Sequence, residues 1–234
     1  MNYKKLATSF WENGFVSIEH FYEDELMNHL NAHILEHYGL DPEWGHDEAF
    51  LKLSETEVVP WFPLQDGDTN FDFIENDNRL LQLTDKILGG DWERLYLMSM
   101  FSKQGTKGQA WHQDCPPENP NHFNLNRLIY THDIDDHTGG KTVVVPRSHK
   151  KGTITVGDPH GDIDNQVILA PKRGTLILIH GHTWHRVYPV TGAYRVSTNS
   201  RVRPKGTPED ITDIAVYRNM RYQFSSSEVI EKRG

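Results

Sequence analysis

The chain has 234 residues and a mass of 27.1 kDa, a size that one domain with a single hydrophobic core accommodates. Its formal net charge of -9 at pH 7, without a cluster of Lys and Arg, argues against nucleic acid or an anionic membrane as a partner. One cysteine excludes an intrachain disulfide and a thiolate zinc site, and the amino terminus has no apolar signal segment. We therefore expect a soluble, cytoplasmic protein.

The first forty residues are predicted to form a helix, a strand and a second helix. The first helix covers residues 3–12 and ends before Gly14, and the strand covers residues 15–18. The second helix covers residues 24–38, where Leu and Ile recur at every fourth position and give it one apolar face. Gly39 is its predicted C-cap.

Residues 41–77 are predicted to be irregular because they are rich in Asp, Glu, Trp and Pro. Trp44, Trp61 and Phe62 suggest a lid over a binding site, and an ordinary surface loop is the alternative. A short helix over residues 79–88 follows and ends at two glycines.

The pattern then changes to short β-like runs, each bounded by Gly, Pro, Asn or Asp. The runs are 94–101, 125–131, 142–145, 166–169, 175–179 and 194–202. Many short strands separated by turn residues favour a sandwich or closed barrel, with the preceding helices packed on its outside.

Fourteen histidines beside one cysteine direct attention to imidazole and carboxylate ligands for a metal. His112 and Asp114 are two residues apart on a predicted strand and would face the same side. A third ligand is expected from the turn that carries His180, His182 and His185. Two His and one carboxylate on one face of an octahedron leave three positions open, as in non-haem iron(II) oxygenases.

Several motifs together resemble the phytanoyl-CoA dioxygenase (PhyH-like) family of iron(II)- and 2-oxoglutarate-dependent oxygenases. They are Trp111-His112-Gln113-Asp114, Thr138-Gly139-Gly140, Val145-Pro146-Arg147-Ser148-His149-Lys150 and residues 174–195, with weaker likeness in residues 10–18 and 24–26. The resemblance implies a mainly β domain with flanking helices, built on a double-stranded β-helix (jelly-roll, cupin-like) barrel. We expect the barrel at 93–203, a helical elaboration with a possible lid at 1–92, and a C-terminal extension at 204–234.

The resemblance also implies a site. By position, the family's metal ligands correspond to His112, Asp114 and His185, with His180 as the next candidate for the third ligand. The arginine that holds the distal carboxylate of 2-oxoglutarate corresponds to Arg195, for which an exposed strand arginine is the alternative. Iron(II) would be the cofactor, and 2-oxoglutarate and O2 the co-substrates.

If Arg195 faces inward, strand alternation directs Ser197, Asn199 and Arg201 the same way. We expect Ser197 to help bind 2-oxoglutarate, and Asn199 or Arg201 to reach the substrate or an acidic residue behind the site. A solvated stripe at the barrel edge is the alternative.

Tyr130 and Thr131 occupy the strand on which the family places contacts to the oxo acid, although a core tyrosine explains Tyr130 as well. Two departures from the family are visible. Cys115 replaces a frequent glycine and is expected to alter the substrate mouth. Arg147 replaces the glycine of Pro-Gly-Ser-His, so we expect a different turn conformation there.

Hydroxylation of a small metabolite is the predicted reaction, because relatives that halogenate lack the acidic ligand and this chain keeps Asp114. A polar or amino-acid-like substrate is favoured. A cupin-like isomerase or hydrolase with zinc or manganese, or a metal-binding sensor without turnover, are the alternatives of other classes. Desaturation, epimerisation and ring closure would use the same motifs.

Overall fold

The computed structural model describes residues 1–39, 42, 48–54 and 57–223. Its helices are α1 (Tyr3–Asn13), α2 (Asp24–Tyr38), α3 (Glu48–Ser54), α4 (Asp72–Asn76) and α5 (Asn78–Leu88). Its strands are β1 (Phe15–Ile18), β2 (Val59–Trp61), β3 (Trp92–Lys103), β4 (Gln109–Gln113), β5 (Leu125–Ile129), β6 (Thr142–Val144), β7 (Val167–Leu169), β8 (Leu176–His180), β9 (His185–Val187), β10 (Tyr194–Pro204), β11 (Ile214–Tyr217) and β12 (Arg221–Gln223). No helix in these ranges is long and apolar enough to cross a membrane.

The strands form two antiparallel sheets of six strands each, so the predicted mainly β fold with flanking helices is confirmed. The first sheet has the order β1-β8-β5-β10-β3-β2, and the second has the order β12-β11-β4-β9-β6-β7. Strands that are distant in sequence lie side by side in both sheets, as in a jelly roll. A cavity between the sheets is lined from both of them.

The N-terminal helix and strand are fixed to the first sheet. Gly14 ends α1 with φ 85°, and its N–H donates to the Phe10 carbonyl at 2.7 Å. The chain then enters β1, which pairs with β8 as the outermost strand of the sheet. A Cβ at Gly14 would lie 2.4 Å from His149 Nδ1, so this close approach as well as the left-handed turn requires glycine.

The outer face of the first sheet packs against the helices. Side chains from α1, α2, α4 and α5 form one apolar cluster with this sheet, and Leu30 and Ile34 of α2 are almost fully buried in it. Burying each such side chain contributes about 1.5–3 kcal/mol. Val196 and Val202 of β10 also belong to the cluster. The side chains that alternate with them from Arg195 to Arg201 face the cavity.

A buried ion pair lies between this sheet and α4. Glu75 accepts from Arg127 at 3.3 Å and from Arg94 at 2.8 Å, and Arg127 is fully buried. The Ser200 hydroxyl also donates to Glu75. Glu75 is thus the carboxylate that compensates the Arg127 charge inside the fold.

Replacing Glu75 with Ala is expected to lower the free energy of unfolding by about 3–5 kcal/mol, because Arg127 would remain as an unpaired buried charge. Chemical denaturation measures this loss. Asp136→Ala is the matched control, because it breaks a pair with Lys141 in which the carboxylate is 99% exposed, and it should change little. Equal losses in the two variants would contradict the interpretation.

The segment predicted to be irregular contains regular structure where it is described. Residues 48–76 include α3, β2, a 3-10 turn and α4. Trp61 lies in β2, pairs with β3 and is 5% exposed, and Phe62 packs against the ring of Tyr96. These two aromatic side chains therefore belong to the packed interior. Trp44 lies outside the described residues, and a lid role for the segment stays a prediction.

The predicted C-terminal extension contributes two strands to the second sheet. β11 pairs with β4 and β12 pairs with β11. Tyr217 lies opposite His112, and the two rings are stacked with centroids 5.3 Å apart. Residues 224–234 lie outside the described part of the chain.

Of the two expectations about departures from the family pattern, the one about Arg147 is wrong, and the one about Cys115 stays a prediction. Arg147 has φ 66° and ψ 4°, so the turn keeps the left-handed conformation that glycine favours and does not change it. Cys115 is fully buried, and its sulfur lies 2.7 Å from where a Cβ on Gly181 would be. It is not among the residues that line the cavity between the sheets.

Candidate metal centre

Two neighbouring strands bring His112, Asp114 and His185 together. His112 on β4 lies directly opposite His185 on β9, and Asp114 follows β4 immediately. His112 Nε2 is 3.7 Å from Asp114 Oδ1, and His185 Nε2 is 3.4 Å from Asp114 Oδ2. The three potential ligand atoms lie within 4.8 Å of one another, so one ion could contact all of them.

The two imidazoles are held in the same way. His112 Nδ1 lies 2.8 Å from the Ala110 carbonyl, and His185 Nδ1 lies 2.9 Å from the Thr183 carbonyl. Each Nδ1 must carry the proton to donate to a carbonyl, which leaves Nε2 with a free lone pair. Such an outer hydrogen bond fixes the tautomer and orientation of metal-binding histidines.

The protonation states of the group suit a metal. Burial would raise the pKa of Asp114, but Arg201 and the two histidines outweigh it and lower the pKa to about 2. Burial, followed by the neighbouring His185, lowers the pKa of His112 to about 3. At neutral pH the group therefore offers a carboxylate and a neutral imidazole, the forms that bind cations. Two nitrogen donors and one oxygen donor fit the iron(II) facial site.

The turn that carries His185 is supported by the Pro146-Arg147-Ser148-His149 segment. The Ser148 hydroxyl accepts from the Trp184 N–H at 2.8 Å and donates to the Val145 carbonyl at 2.7 Å. Val145 N–H in turn donates to the Trp184 carbonyl at 3.0 Å. This segment thus acts as a brace for the strand that presents His185.

His180 lies outside the group, although the sequence made it the next candidate. Its ring stacks on Phe123 with centroids 4.0 Å apart and lies 4.8 Å from the His182 ring. His180 Nδ1 accepts from the His182 backbone N–H at 3.1 Å. Both rings are packed among aromatic side chains away from Asp114.

Arg195 is a buried cation without a carboxylate partner among the described residues. It is 4% exposed and lines the same cavity as the three-residue group. Its Nε donates to the Gly140 carbonyl at 2.7 Å, and its Nη1 donates to Ser197 Oγ at 3.1 Å. Its Nη2 lies 3.4 Å from both Tyr130 Oη and Thr142 Oγ1. A buried charge with only neutral partners is costly, which indicates that an anionic ligand completes it.

Gly140 makes room for Arg195. The residue has φ 62°, and a Cβ there would lie 2.4 Å from Arg195 Cδ. The last glycine of the Thr138-Gly139-Gly140 motif therefore provides the space in which the Arg195 side chain packs.

If Arg195 holds 2-oxoglutarate, as the resemblance implies, Gly140→Ala should displace the Arg195 side chain and raise the KM for 2-oxoglutarate at least about tenfold, with unchanged metal affinity. Steady-state kinetics and metal titration measure the two effects. Gly152→Ala is the control, because Gly152 has φ 76° but no atom within 4 Å of an added Cβ. A Gly140→Ala variant that behaves like Gly152→Ala would contradict the packing role.

The other predicted site residues are divided between the cavity and the fold. Ser197, Asn199 and Arg201 line the cavity with Arg195. Tyr130 lies behind Arg195, with its hydroxyl 2.9 Å from Thr142 Oγ1. Thr131 points away from the cavity and donates to Asn31 Oδ1 in α2 at 2.7 Å, so the expected contact with the oxo acid is not available to it.

Asp114 has two hydrogen-bond partners, Arg201 and Asn126. The sequence analysis placed Arg201 on this face without naming Asp114 as its partner, and it did not identify Asn126. Arg201 Nη2 donates to Asp114 Oδ1 at 3.0 Å, and Asn126 Nδ2 donates to Asp114 Oδ2 at 2.7 Å. Arg201 Nη1 donates to Tyr96 Oη at 2.7 Å, which orients the guanidinium. Asn126 lies four residues before Tyr130, which is two periods of strand alternation, so the two side chains are expected on the same face. That alternation was the signal in the sequence that could have identified Asn126.

Comparisons with known proteins identify the family of the chain. A family model described as phytanoyl-CoA dioxygenase (PhyH) matches residues 10–197. No curated protein matches the sequence significantly.

Solved structures share the fold at low identity. The non-heme alpha ketoglutarate dependent epimerase SnoN from nogalamycin biosynthesis is 16% identical with a TM-score of 0.66, over 92% of this chain and 85% of that chain. SnoN in complex with Fe3+, alpha ketoglutarate and nogalamycin RO is 17% identical with a TM-score of 0.65, over 92% of this chain and 86% of that chain. HygX from Streptomyces hygroscopicus, with nickel and 2-oxoglutarate bound, is 13% identical with a TM-score of 0.65, over 88% of this chain and 88% of that chain.

Proposed function

The chain belongs to the phytanoyl-CoA dioxygenase family, and on this basis we propose that it is an iron(II)- and 2-oxoglutarate-dependent dioxygenase. The reaction we propose is hydroxylation of a small-molecule metabolite with release of succinate and CO2. One observation carries the proposal: a single cavity holds both the His-Asp-His group and the uncompensated Arg195 guanidinium. The whole chain forms one dioxygenase domain in this proposal.

His112, Asp114 and His185 are the proposed iron ligands. Asp114 would contribute a negative charge and the two histidines would contribute nitrogen donors, and a metal held by only three protein ligands would keep positions open for the co-substrate. Iron(II) with 2-oxoglutarate supplies the activation of O2 when both are bound. The protein's own part is to hold the donor atoms and to keep the site dry.

Arg195 and Ser197 are the proposed binding residues for the distal carboxylate of 2-oxoglutarate. The planar guanidinium can donate two parallel hydrogen bonds to a carboxylate, and Tyr130 and Thr142 support it from behind. Leu128, Ile179 and Val187 add apolar surface to the same cavity, which suits the two methylene groups of the co-substrate and excludes water.

The solved relatives support this choice of ligands. SnoN was crystallised with Fe3+ and alpha ketoglutarate, and HygX with nickel and 2-oxoglutarate, each also with a small molecule: nogalamycin RO or hygromycin B. SnoN is an epimerase, so epimerisation is the second candidate reaction on the same site. Retention of Asp114 favours hydroxylation over halogenation, which would need that position for chloride.

The proposal is tested by succinate release from 2-oxoglutarate in air with iron(II), across a set of small polar metabolites. Succinate should form with iron(II), should fail to form with zinc(II), and should be absent in Asp114→Ala. A substrate product one oxygen atom heavier indicates hydroxylation, and a product of unchanged mass indicates epimerisation. Turnover that zinc supports without O2 would contradict the oxygenase and favour a cupin-like isomerase or hydrolase.

A further inference from the structure

The cavity between the sheets carries more positive than negative charge. Its charged lining residues in the described chain are Arg195, Arg201 and Asp114, which leaves one positive charge in excess. Histidines bind a metal ion in their neutral form, so His112 and His185 add no charge when the ion is held. An uncompensated charge in a buried site is costly and indicates a missing anion.

The proposed cofactor and co-substrate do not remove this excess. This step rests on the proposed function: a divalent iron brings two positive charges and 2-oxoglutarate brings two negative charges, so together they cancel. If Arg195 takes the distal carboxylate of 2-oxoglutarate, Arg201 is the cation left over. The excess therefore lies beside Asp114, next to the proposed metal position.

Arg201 has hydrogen-bond donors to spare. Its Nη2 donates to Asp114 Oδ1 at 3.0 Å, and its Nη1 donates to Tyr96 Oη at 2.7 Å. Its buried Nε has no partner among the described residues. A guanidinium has five N–H donors, so two contacts leave further donors for a ligand. A metal ion on Asp114 would also withdraw negative charge from the guanidinium.

Other buried arginines of the two sheets differ from Arg201, because their carboxylate partners lie outside the cavity. Arg203, two residues further along β10, pairs with Glu93 at 2.7 Å and with Glu209 at 3.4 Å. Arg186 pairs with Asp162 at 2.7 Å. The charges of these two arginines are compensated independently of any metal ion.

We propose that Arg201 is a substrate-binding residue that receives a carboxylate group of the substrate, so that the substrate class is a small carboxylate-bearing molecule. The carboxylate would sit in the cavity beside Asp114 and Arg201. The assignment distinguishes this site from one built for a cationic substrate, in which the guanidinium would repel the ligand. Arg201 also orients Asp114, and the test separates the two roles.

The test uses acetate as the probe and acetamide as its uncharged analogue of similar shape. Each is titrated into the full-length protein loaded anaerobically with iron(II) and 2-oxoglutarate, while the visible charge-transfer band of the iron and 2-oxoglutarate complex is recorded. Acetate should shift the band saturably, and acetamide should not. Arg201→Gln should weaken the acetate response at least about tenfold, because a charge-assisted hydrogen bond is lost. Arg203→Gln removes the same charge from the same strand and should respond like the wild type.

Arg201→Lys covers the case in which Arg201→Gln disturbs Asp114 and loses iron. The lysine keeps the charge but lacks the planar fork, so acetate should still shift the band with several-fold weaker affinity. A lysine variant with wild-type acetate affinity contradicts the proposal. So does acetate binding of equal strength in Arg201→Gln, or an equal response to acetamide. Absence of the band before any acetate is added overturns the proposed function itself, which is a distinct result.

Discussion

Replacing Arg195 with Ala is expected to raise the KM for 2-oxoglutarate by a factor of roughly 30 to several thousand, with little change in iron affinity. Truncating one partner of a buried, hydrogen-bonded charge pair costs about 2–5 kcal/mol, which gives this range. The loss falls on co-substrate binding because Arg195 contacts Gly140, Ser197 and Tyr130 and none of the three proposed iron ligands. Steady-state kinetics at varied 2-oxoglutarate measures it.

Two controls separate ligand binding from folding. Arg195→Met keeps most of the side-chain volume and removes the uncompensated charge, so the free energy of unfolding without ligands should stay equal or rise. If Arg195 instead stabilised the fold, Arg195→Met would lower the free energy of unfolding. Arg203→Ala removes a buried arginine of the same strand and should leave the KM unchanged. If Arg195→Ala left the KM for 2-oxoglutarate at the wild-type value, the co-substrate role of Arg195 would be wrong.

Replacing His185 with Ala is expected to weaken iron binding by more than about 100-fold and to abolish turnover. Loss of an outer partner of a metal ligand already costs 10–100-fold in affinity or activity, and removal of the ligand itself costs more. The two remaining donors, His112 and Asp114, would come from one strand and would no longer enclose the ion from both sides. Metal titration followed by calorimetry measures the loss without relying on turnover.

His180→Ala is the matched control for this prediction. Both histidines are buried and lie five residues apart, yet only His185 points its Nε2 toward Asp114. His180→Ala should lower stability by removing a ring that stacks on Phe123, while iron affinity stays near the wild-type value. The opposite pattern, with iron lost in His180→Ala and kept in His185→Ala, would assign the third ligand to His180.

Local rules predicted much of the fold. The apolar period of four and the terminal glycine gave α2 its bounds at Asp24–Tyr38, and β1 at Phe15–Ile18 was also predicted. Alternation along β10 predicted which side chains share a face with Arg195, because the period of a strand is two. The family, the fold class and the iron oxygenase character suggested by the motifs are consistent with the comparisons.

Long-range pairing could not be predicted in the same way. β11 lies beside β4 although about a hundred residues separate them, and no local pattern in residues 214–217 specifies that neighbour. Alternation also gives a face but not a partner, so Arg201 was placed on the right side of β10 without its contact to Asp114. Thr131 was placed in the site because the family puts contacts to the oxo acid on this strand, whereas β5 ends at Ile129 and the Thr131 hydroxyl donates to Asn31 in α2.

The backbone at Arg147 shows a further limit of residue-type reasoning. Glycine is favoured at a left-handed position. Here the hydrogen bond from the Ser148 hydroxyl to the Val145 carbonyl and the one from the Arg147 N–H to the Asn13 carbonyl stabilise the turn, and neither involves the Arg147 side chain. A substitution at such a position therefore predicts strain and does not by itself predict a different turn.

The central claim is that one cavity binds iron through His112, Asp114 and His185 and binds 2-oxoglutarate through Arg195. Anaerobic titration of the metal-free protein with iron(II) and 2-oxoglutarate tests it most directly. We predict a weak visible charge-transfer band that requires both components, disappears in His185→Ala, and needs far higher 2-oxoglutarate concentrations in Arg195→Ala. A wild-type protein that binds iron(II) but gives no such band with 2-oxoglutarate would contradict the account.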